Sequence, residues 1–362
     1  MVAKKSGLSP DLIVHPGNTI KELLEDRNMN QEELAIRTGY SAKHVSEVIS
    51  GKKDISSNFA NALEYAFGIP TQFWINMQGI YDREILEIKR MAEITDEEFN
   101  ILKDLKEFIE YCINNSIIGS GLNKELTIIN LRKFLRVSSL ISISKLPIQS
   151  AAFRGSSKNK INPNVLYAWI RLCDYLTEEI KVNNSFNKEL LKGKLDDIKK
   201  TMFLEPNEMV QELKNIFLSC GIIFEVVHNF TGAPVQGYIQ KKKDKIIMCM
   251  TIRQKYSDIF WFTLFHEIGH LLNDDFTKSY IDYTFAEDKI EIAANDFARN
   301  ALINEAEYAK FIKKQKFDFN SIEKFAKSQK LKPGIVIGRI QNDTKNYSFM
   351  NQYREKYIWV NE

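Results

Sequence analysis

Histidine is scarce in this chain, with five among 362 residues. Cysteine is scarcer, and Cys112, Cys173, Cys220 and Cys249 stand far apart with no C-x-x-C pair. That spacing argues against a cysteine-held metal and a disulfide framework, and fits a reducing cytoplasm. No apolar run approaches the ~18 residues that a membrane helix needs. Met1 to Pro10 has no hydrophobic stretch of the signal-peptide kind. A surplus of one charge is missing too: 50 Lys and Arg against 47 Asp and Glu leave +3, too little to name a partner. Gly-rich phosphate loops and a Ser/His/Asp order are both absent. The length suits two or three domains of a cytoplasmic protein.

Two of the five histidines fall together, in Phe262-Thr263-Leu264-Phe265-His266-Glu267-Ile268-Gly269-His270-Leu271-Leu272. On a helix, positions i and i+4 share a face, so His266 and His270 can aim imidazole nitrogens at one Zn²⁺. Glu267 sits beside the first ligand, where a carboxylate can act as general base on a water. Leu264, Ile268, Leu271 and Leu272 form the apolar stripe that a buried helix needs. A catalytic zinc wants three protein ligands. His15 and His228 lie far from any motif, so the third ligand is expected to be a carboxylate. A helix predicted over 287–302 puts Glu291, Ala294, Asn295, Ala298 and Leu302 on one face. A Glu on such a small, core-facing stripe needs a partner, because an unpaired buried carboxylate is costly. Glu291 is therefore the expected ligand, with Asp274 and Asp275 in reserve.

Around the motif, Ile222 to Val227 reads as a strand, and Gly237–Gln240 with Lys245–Met250 as a hairpin across Lys241-Lys242-Lys243-Asp244. Between residues 81 and 214 the pattern is mostly helical, with one amphipathic helix expected over 186–208 and a loop at Ser138–Ser144. Arg154 and Arg171, each near aromatics, are expected to pack their stems and keep their heads in solvent.

The N-terminal stretch punctuates differently. Gln31–Thr38 is a short helix ended by Gly39, and Ser41 is a plausible N-cap for Ala42–Ser50, closed by Gly51. Helix, glycine turn, helix is helix-turn-helix spacing. The second helix would turn Ser41, Lys43, His44, Ser46 and Glu47 outward to base edges, with Lys52 and Lys53 at phosphates. Eight Lys/Arg against nine Asp/Glu over residues 1–80 make this a domain without a basic excess.

These residues carry two resemblances. Gln31-Glu32-Glu33-Leu34-Ala35, Gly39-Tyr40-Ser41, Val45-Ser46, Ile49-Ser50-Gly51-Lys52 and Pro70-Thr71-Gln72-Phe73-Trp74 resemble the Xre-type helix-turn-helix, in its HigA-like antitoxin subgroup. Arg253, the motif around His266, Glu291-x-x-Ala294-Asn295-x-Phe297-Ala298 and Pro333 to Gln341 resemble the ImmA/IrrE metallopeptidases. That second resemblance implies His266, His270 and Glu291 as zinc ligands and Glu267 as general base, acting on a helix-turn-helix repressor. Tyr280 or Tyr283, between the two motif helices, is a hypothetical donor to the oxyanion. The expected fold is mostly α, of the α+β class. A five-helix head (1–80) precedes a helical middle (81–214), a zincin-like domain with a small sheet (215–345) and a tail (346–362). The expected function is operator binding joined to zinc-dependent cleavage of a repressor, in trans or within its own chain, with a homodimer expected on paired half-sites. The alternatives are a non-enzymatic HigA-like regulator that senses a signal or binds a toxin, and a metalloenzyme whose head docks its protein substrate.

Overall fold

The computed structural model describes residues 13–146, 161–242, 245–273 and 286–359. It is mostly helical with one small sheet, the α+β class expected. The chain divides into two compact units, residues 1–99 with 121–129, and residues 100–120 with 130–362.

The first unit begins with α1 (Gly17–Asp26), α2 (Gln31–Thr38), α3 (Ala42–Ile49), α4 (Ser57–Phe67) and α5 (Thr71–Ala92). Short polar side chains start three of them: Asn30, Ser41 and Ser56 accept the backbone N–H groups of Glu33, His44 and Phe59. Each bond satisfies an N–H that has no partner inside its helix. Gly39 ends α2 at φ 72°, in the left-handed region that glycine enters without strain. Ile20, Leu34, Val45, Phe59, Leu63 and Trp74 form the core these helices share. The boundary expected at residue 80 falls inside α5, which runs unbroken for 22 residues.

His15 supplies a second kind of cap. Its Nδ1 accepts the Gly17 N–H at 2.9 Å, and its ring packs edge-on against Tyr81. Burial holds the imidazole below its ordinary pKa of 6.5, with Asp54 and Asp82 pulling the other way. The unfolded chain therefore takes up this proton first. Stability contributed by the neutral ring is complete above pH 6.5 and lost as pH falls through the folded pKa. Urea midpoints should fall more between pH 7.5 and 5.5 for wild type than for His15→Gln, and equal falls would show that the cap is not the titrating element.

The second unit holds α7 (Lys106–Asn114), α9 (Pro163–Thr177), α10 (Lys188–Gly193), α11 (Leu195–Thr201) and α12 (Pro206–Ser219). It continues through β1 (Ile222–Val226), β2 (Gly237–Lys242), β3 (Lys245–Met250), α13 (Ser257–Asn273), α14 (Ala286–Leu302), α15 (Glu305–Lys313), α16 (Phe319–Ser328) and α17 (Pro333–Thr344). Two further helices, α6 (Asp96–Asp104) and α8 (Lys124–Leu135), contribute residues to both units. Most of the stretch expected to stand apart as a middle domain thus belongs to the unit that carries α13.

Strand β3 is central, parallel to β1 and antiparallel to β2, so the expected hairpin is present. Ile222, Phe224, Ile246, Met248 and Met250 send one sheet face into a core shared with Leu213 and Phe217 of α12 and Trp261, Leu264, Phe265 and Ile268 of α13. The single helix expected over 186–208 is instead broken at Lys194, just after Gly193. Leu191 before the break and Ile198 after it both lie in the core. The Ser138–Ser144 loop includes the start of a 3-10 turn over Leu140–Lys145, begun by the Ser139 hydroxyl. Arg171 keeps no solvated head: it is buried, and its Nη1 donates to Asp174 at 2.6 Å. Arg154 lies outside the described residues.

Residues 346–362, expected as a tail, are built into this unit as far as residue 359. Ser257 N–H donates to the Glu355 carbonyl at 2.9 Å, and Trp261 Nε1 donates to the Tyr357 hydroxyl at 3.0 Å. Arg354 pairs with Asp258 at 2.7 Å and lies 3.8 Å from the centre of the Tyr256 ring. The start of α13 is thereby tied to the C-terminal segment. No helix among the described residues is long and apolar enough to cross a membrane.

Candidate functional site

Helix α13 is buried on nearly all sides and touches α10, α14, α17, β2 and β3. Its approach to α14 depends on small residues. A Cβ on Gly269 would sit 3.1 Å from the Ala294 Cα and 3.2 Å from the Phe297 ring. With no side chain there, α14 comes close enough for Glu291, one turn before Ala294, to reach the histidine pair.

Three donors converge as a result. His266 Nε2 and His270 Nε2 lie 2.9 Å apart, and the Glu291 carboxylate oxygens lie 3.2 Å from the first and 3.4 Å from the second. Four-coordinate zinc with bonds of about 2.0–2.1 Å has ligand-to-ligand edges of roughly 3.3 Å, so the spacing suits such an ion. The donor chemistry suits it equally, two imidazoles and one carboxylate. Both histidines are buried, while the Glu291 side chain is 32% exposed, which puts the site at the margin of the core. Burial opposes charge on Glu291, yet hydrogen bonds and attraction from His266 and His270 hold its carboxyl well below the usual range. A carboxylate kept ionised beside two imidazoles is the state in which all three can ligate.

Glu267 is buried at 3% exposure. Its carboxylate lies against Gly237 at the start of β2, a neighbour the sequence reading did not single out. No periodicity or spacing links two residues thirty positions apart, so local pattern carried no signal for it. Tyr280, Tyr283, Asp274 and Asp275 lie outside the described residues. Of the other three histidines, two have surroundings apart from either motif: His15 caps α1, and His228 stacks on Tyr111.

In the first unit, Ser41, Lys43, Ser46, Lys52 and Lys53 are exposed on or just beyond α3, as expected, and Glu47 is half-buried. Ser41 also caps the helix, which fixes its hydroxyl toward the His44 N–H at 3.1 Å. His44 corrects the expectation that it faces outward. Its ring packs between Tyr40 and Phe59, with centroids at 4.6 and 4.8 Å, and burial first, then Lys53, lowers its pKa. An imidazole placed there is half-buried and packs against Phe59 and the turn at Tyr40. The exposed polar side chains of α3 are Lys43 and Ser46, with Glu47 3.9 Å from the Lys43 ammonium.

The helix-turn-helix family model matches residues 20–74, the span from α1 into α5. Residues 20–74 are a helix-turn-helix domain. Virulence-associated protein A' of Dichelobacter nodosus is 36% identical over 69 residues, 19% of this chain. The chain spans 60% of the length of that curated relative. Among solved structures, PA4674 of Pseudomonas aeruginosa, in complex with its operator DNA, is 28% identical over 22% of this chain and 84% of its own, with a TM-score of 0.21. A HigA-family addiction module antidote protein of Coxiella burnetii is 25% identical, over 27% of this chain and 92% of its own, with a TM-score of 0.20. The antitoxin HigA of Pseudomonas aeruginosa, with its higBA promoter, is 26% identical over 23% of this chain and 97% of its own, at a TM-score of 0.22.

Proposed function

We propose that the chain is a DNA-binding transcription regulator whose α13–α14 centre is a zinc endopeptidase of the ImmA/IrrE kind. Its substrate is a helix-turn-helix repressor, cleaved in trans or in this chain's own head. The observation that carries this reading is the convergence of His266, His270 and Glu291 on one point, with the buried Glu267 next in sequence to the first ligand. His266, His270 and Glu291 would hold Zn²⁺, which when bound supplies a Lewis acid for peptide hydrolysis. Glu267 takes the proton of the attacking water and returns it to the departing amine, so the leaving group departs neutral. Burial of Glu267 against β2 keeps bulk water from the base and strengthens its hydrogen bond to the attacking water.

The test is incubation of purified, zinc-loaded chain with helix-turn-helix repressors, with new termini read by mass spectrometry. Cleavage by wild type and none by Glu267→Ala supports the reading. Operator binding with no cleavage of any such protein would favour instead the non-enzymatic HigA-like regulator, with a toxin as a further partner.

Binding through the head makes a separate prediction. Lys43 on α3 and Lys52 just after it are exposed, so each is expected to neutralise one phosphate. Alanine at either should weaken binding to the gene's own upstream DNA and reduce the slope of log affinity against log salt by about one. An unchanged slope in both variants would remove α3 from the interface and support a head that docks protein.

A further inference from the structure

We propose that Gly237 is a positioning residue for Glu267, an assignment that rests on reading α13–α14 as a metal centre. Glycine is depleted in strands, so its place as the first residue of β2 asks for a reason. Conformational freedom is not the reason: Gly237 is absent from the positive-φ glycines and pairs regularly with Met250 in the β2–β3 ladder. Space is. A Cβ on Gly237 would come 2.7 Å from both Cγ and Cδ of Glu267, and closer still to Oε1. Real Cβ atoms do not approach that near, so either the strand or the carboxylate would have to move.

The strand is the less free of the two. Gln236 accepts the Thr251 N–H on its carbonyl at 2.9 Å, and Val235 accepts the Thr251 hydroxyl at 2.7 Å. The Thr263 hydroxyl donates to the Gln236 side chain at 3.3 Å. Thr263 and Glu267 are i and i+4, so they share one face of α13 and meet Gln236 and Gly237 in turn. Consecutive residues at the start of β2 therefore register the helix and seat the base. Any side chain at 237 would push the carboxylate off this seat while leaving His266 and His270, at other positions around α13, and Glu291, on α14, free to ligate.

Full-length protein loaded with Co²⁺ and titrated with acetohydroxamate tests the assignment. Cobalt absorption reports the ligand set, and the hydroxamate chelates the metal while offering its hydroxyl hydrogen to a neighbouring carboxylate. Gly237→Ala should bind Co²⁺ as wild type does but hold acetohydroxamate about tenfold more weakly, the loss expected for one hydrogen bond to a charged group. Glu267→Gln should match it. Gly237→Ala with Glu267→Asp, one methylene shorter, should recover part of the loss. Wild-type hydroxamate affinity in Gly237→Ala overturns the proposal. Wild type that binds no Co²⁺ overturns the metal-centre reading instead, and the contact is then decided by stability. Gly237→Ala should lower the melting temperature, or fail to fold, with Glu267 present and much less so in a Glu267→Ala background. Equal losses in both backgrounds overturn the proposal by that route.

Discussion

Glu291→Ala is expected to lose stoichiometric zinc, and His266→Ala to lose it equally. The wild-type chain, purified without chelator, should carry close to one zinc. Each variant removes one of three donors whose mutual distances are 2.9, 3.2 and 3.4 Å. Changes to groups that only support a metal's ligands already cost about 10–100-fold in affinity, so loss of a ligand itself should exceed that range. The two variants need not have the same effect on folding. His266 is buried at 1% exposure, whereas the Glu291 side chain is a third exposed, so Glu291→Ala should melt closer to wild type. Metal analysis beside a thermal melt separates a lost ligand from a lost fold. Zinc retained in Glu291→Ala would move the third ligand elsewhere, and zinc absent from wild type, under conditions that strip none from a control zinc peptidase, would end the peptidase reading.

Arg354→Ala should destabilise the second unit by roughly 3–5 kcal/mol, the usual result of breaking a buried ion pair from one side. Both side chains of the Arg354–Asp258 pair are under a tenth exposed. Burial raises the Asp258 carboxyl above its ordinary range even with Arg354 pulling it down. The intact pair therefore contributes little net energy, but the lone carboxylate left by Arg354→Ala loses its main compensation and keeps only a backbone hydrogen bond. Its surroundings allow no easy retreat, because Gly338 lies against the Asp258 carboxylate so closely that even a Cβ there would collide with it. In calorimetry the loss should lower the transition by about 10 °C, at roughly 2–4 °C per kcal/mol for a unit of this size. The double variant Arg354→Met with Asp258→Asn should lose much less, since no charge stays buried. A melt within about 2 °C of wild type for Arg354→Ala would show that the C-terminal segment does not hold α13 in place.

Much of the candidate site was legible because its parts are local. His266 and His270 share a face through the 3.6-residue period, and Leu264, Ile268 and Leu271 announce the burial that surrounds them. Glu291 was legible more weakly, as a carboxylate on a small-residue stripe, and the packing of Ala294 against Gly269 gives that stripe its meaning. His44 misled for the same local reason. It stands among polar residues on a short helix, and only the nearness of Tyr40 and Phe59 turns its ring inward.

The amino-acid order alone determined where helices start and stop, through Asn30, Ser41, Ser56 and Gly39, and which pairs share a helical face. Those are interactions across three or four residues, and backbone geometry sets them before the chain is packed. Tertiary structure decided what meets what across long separations: Glu291 with the histidines, Gly237 with Glu267, Arg354 with Asp258. The last pair is 96 residues apart. No helical or strand period extends that far. Side chains so distant in sequence come together only when whole apolar faces are buried against one another, and a supposed tail becomes part of the core in the same step.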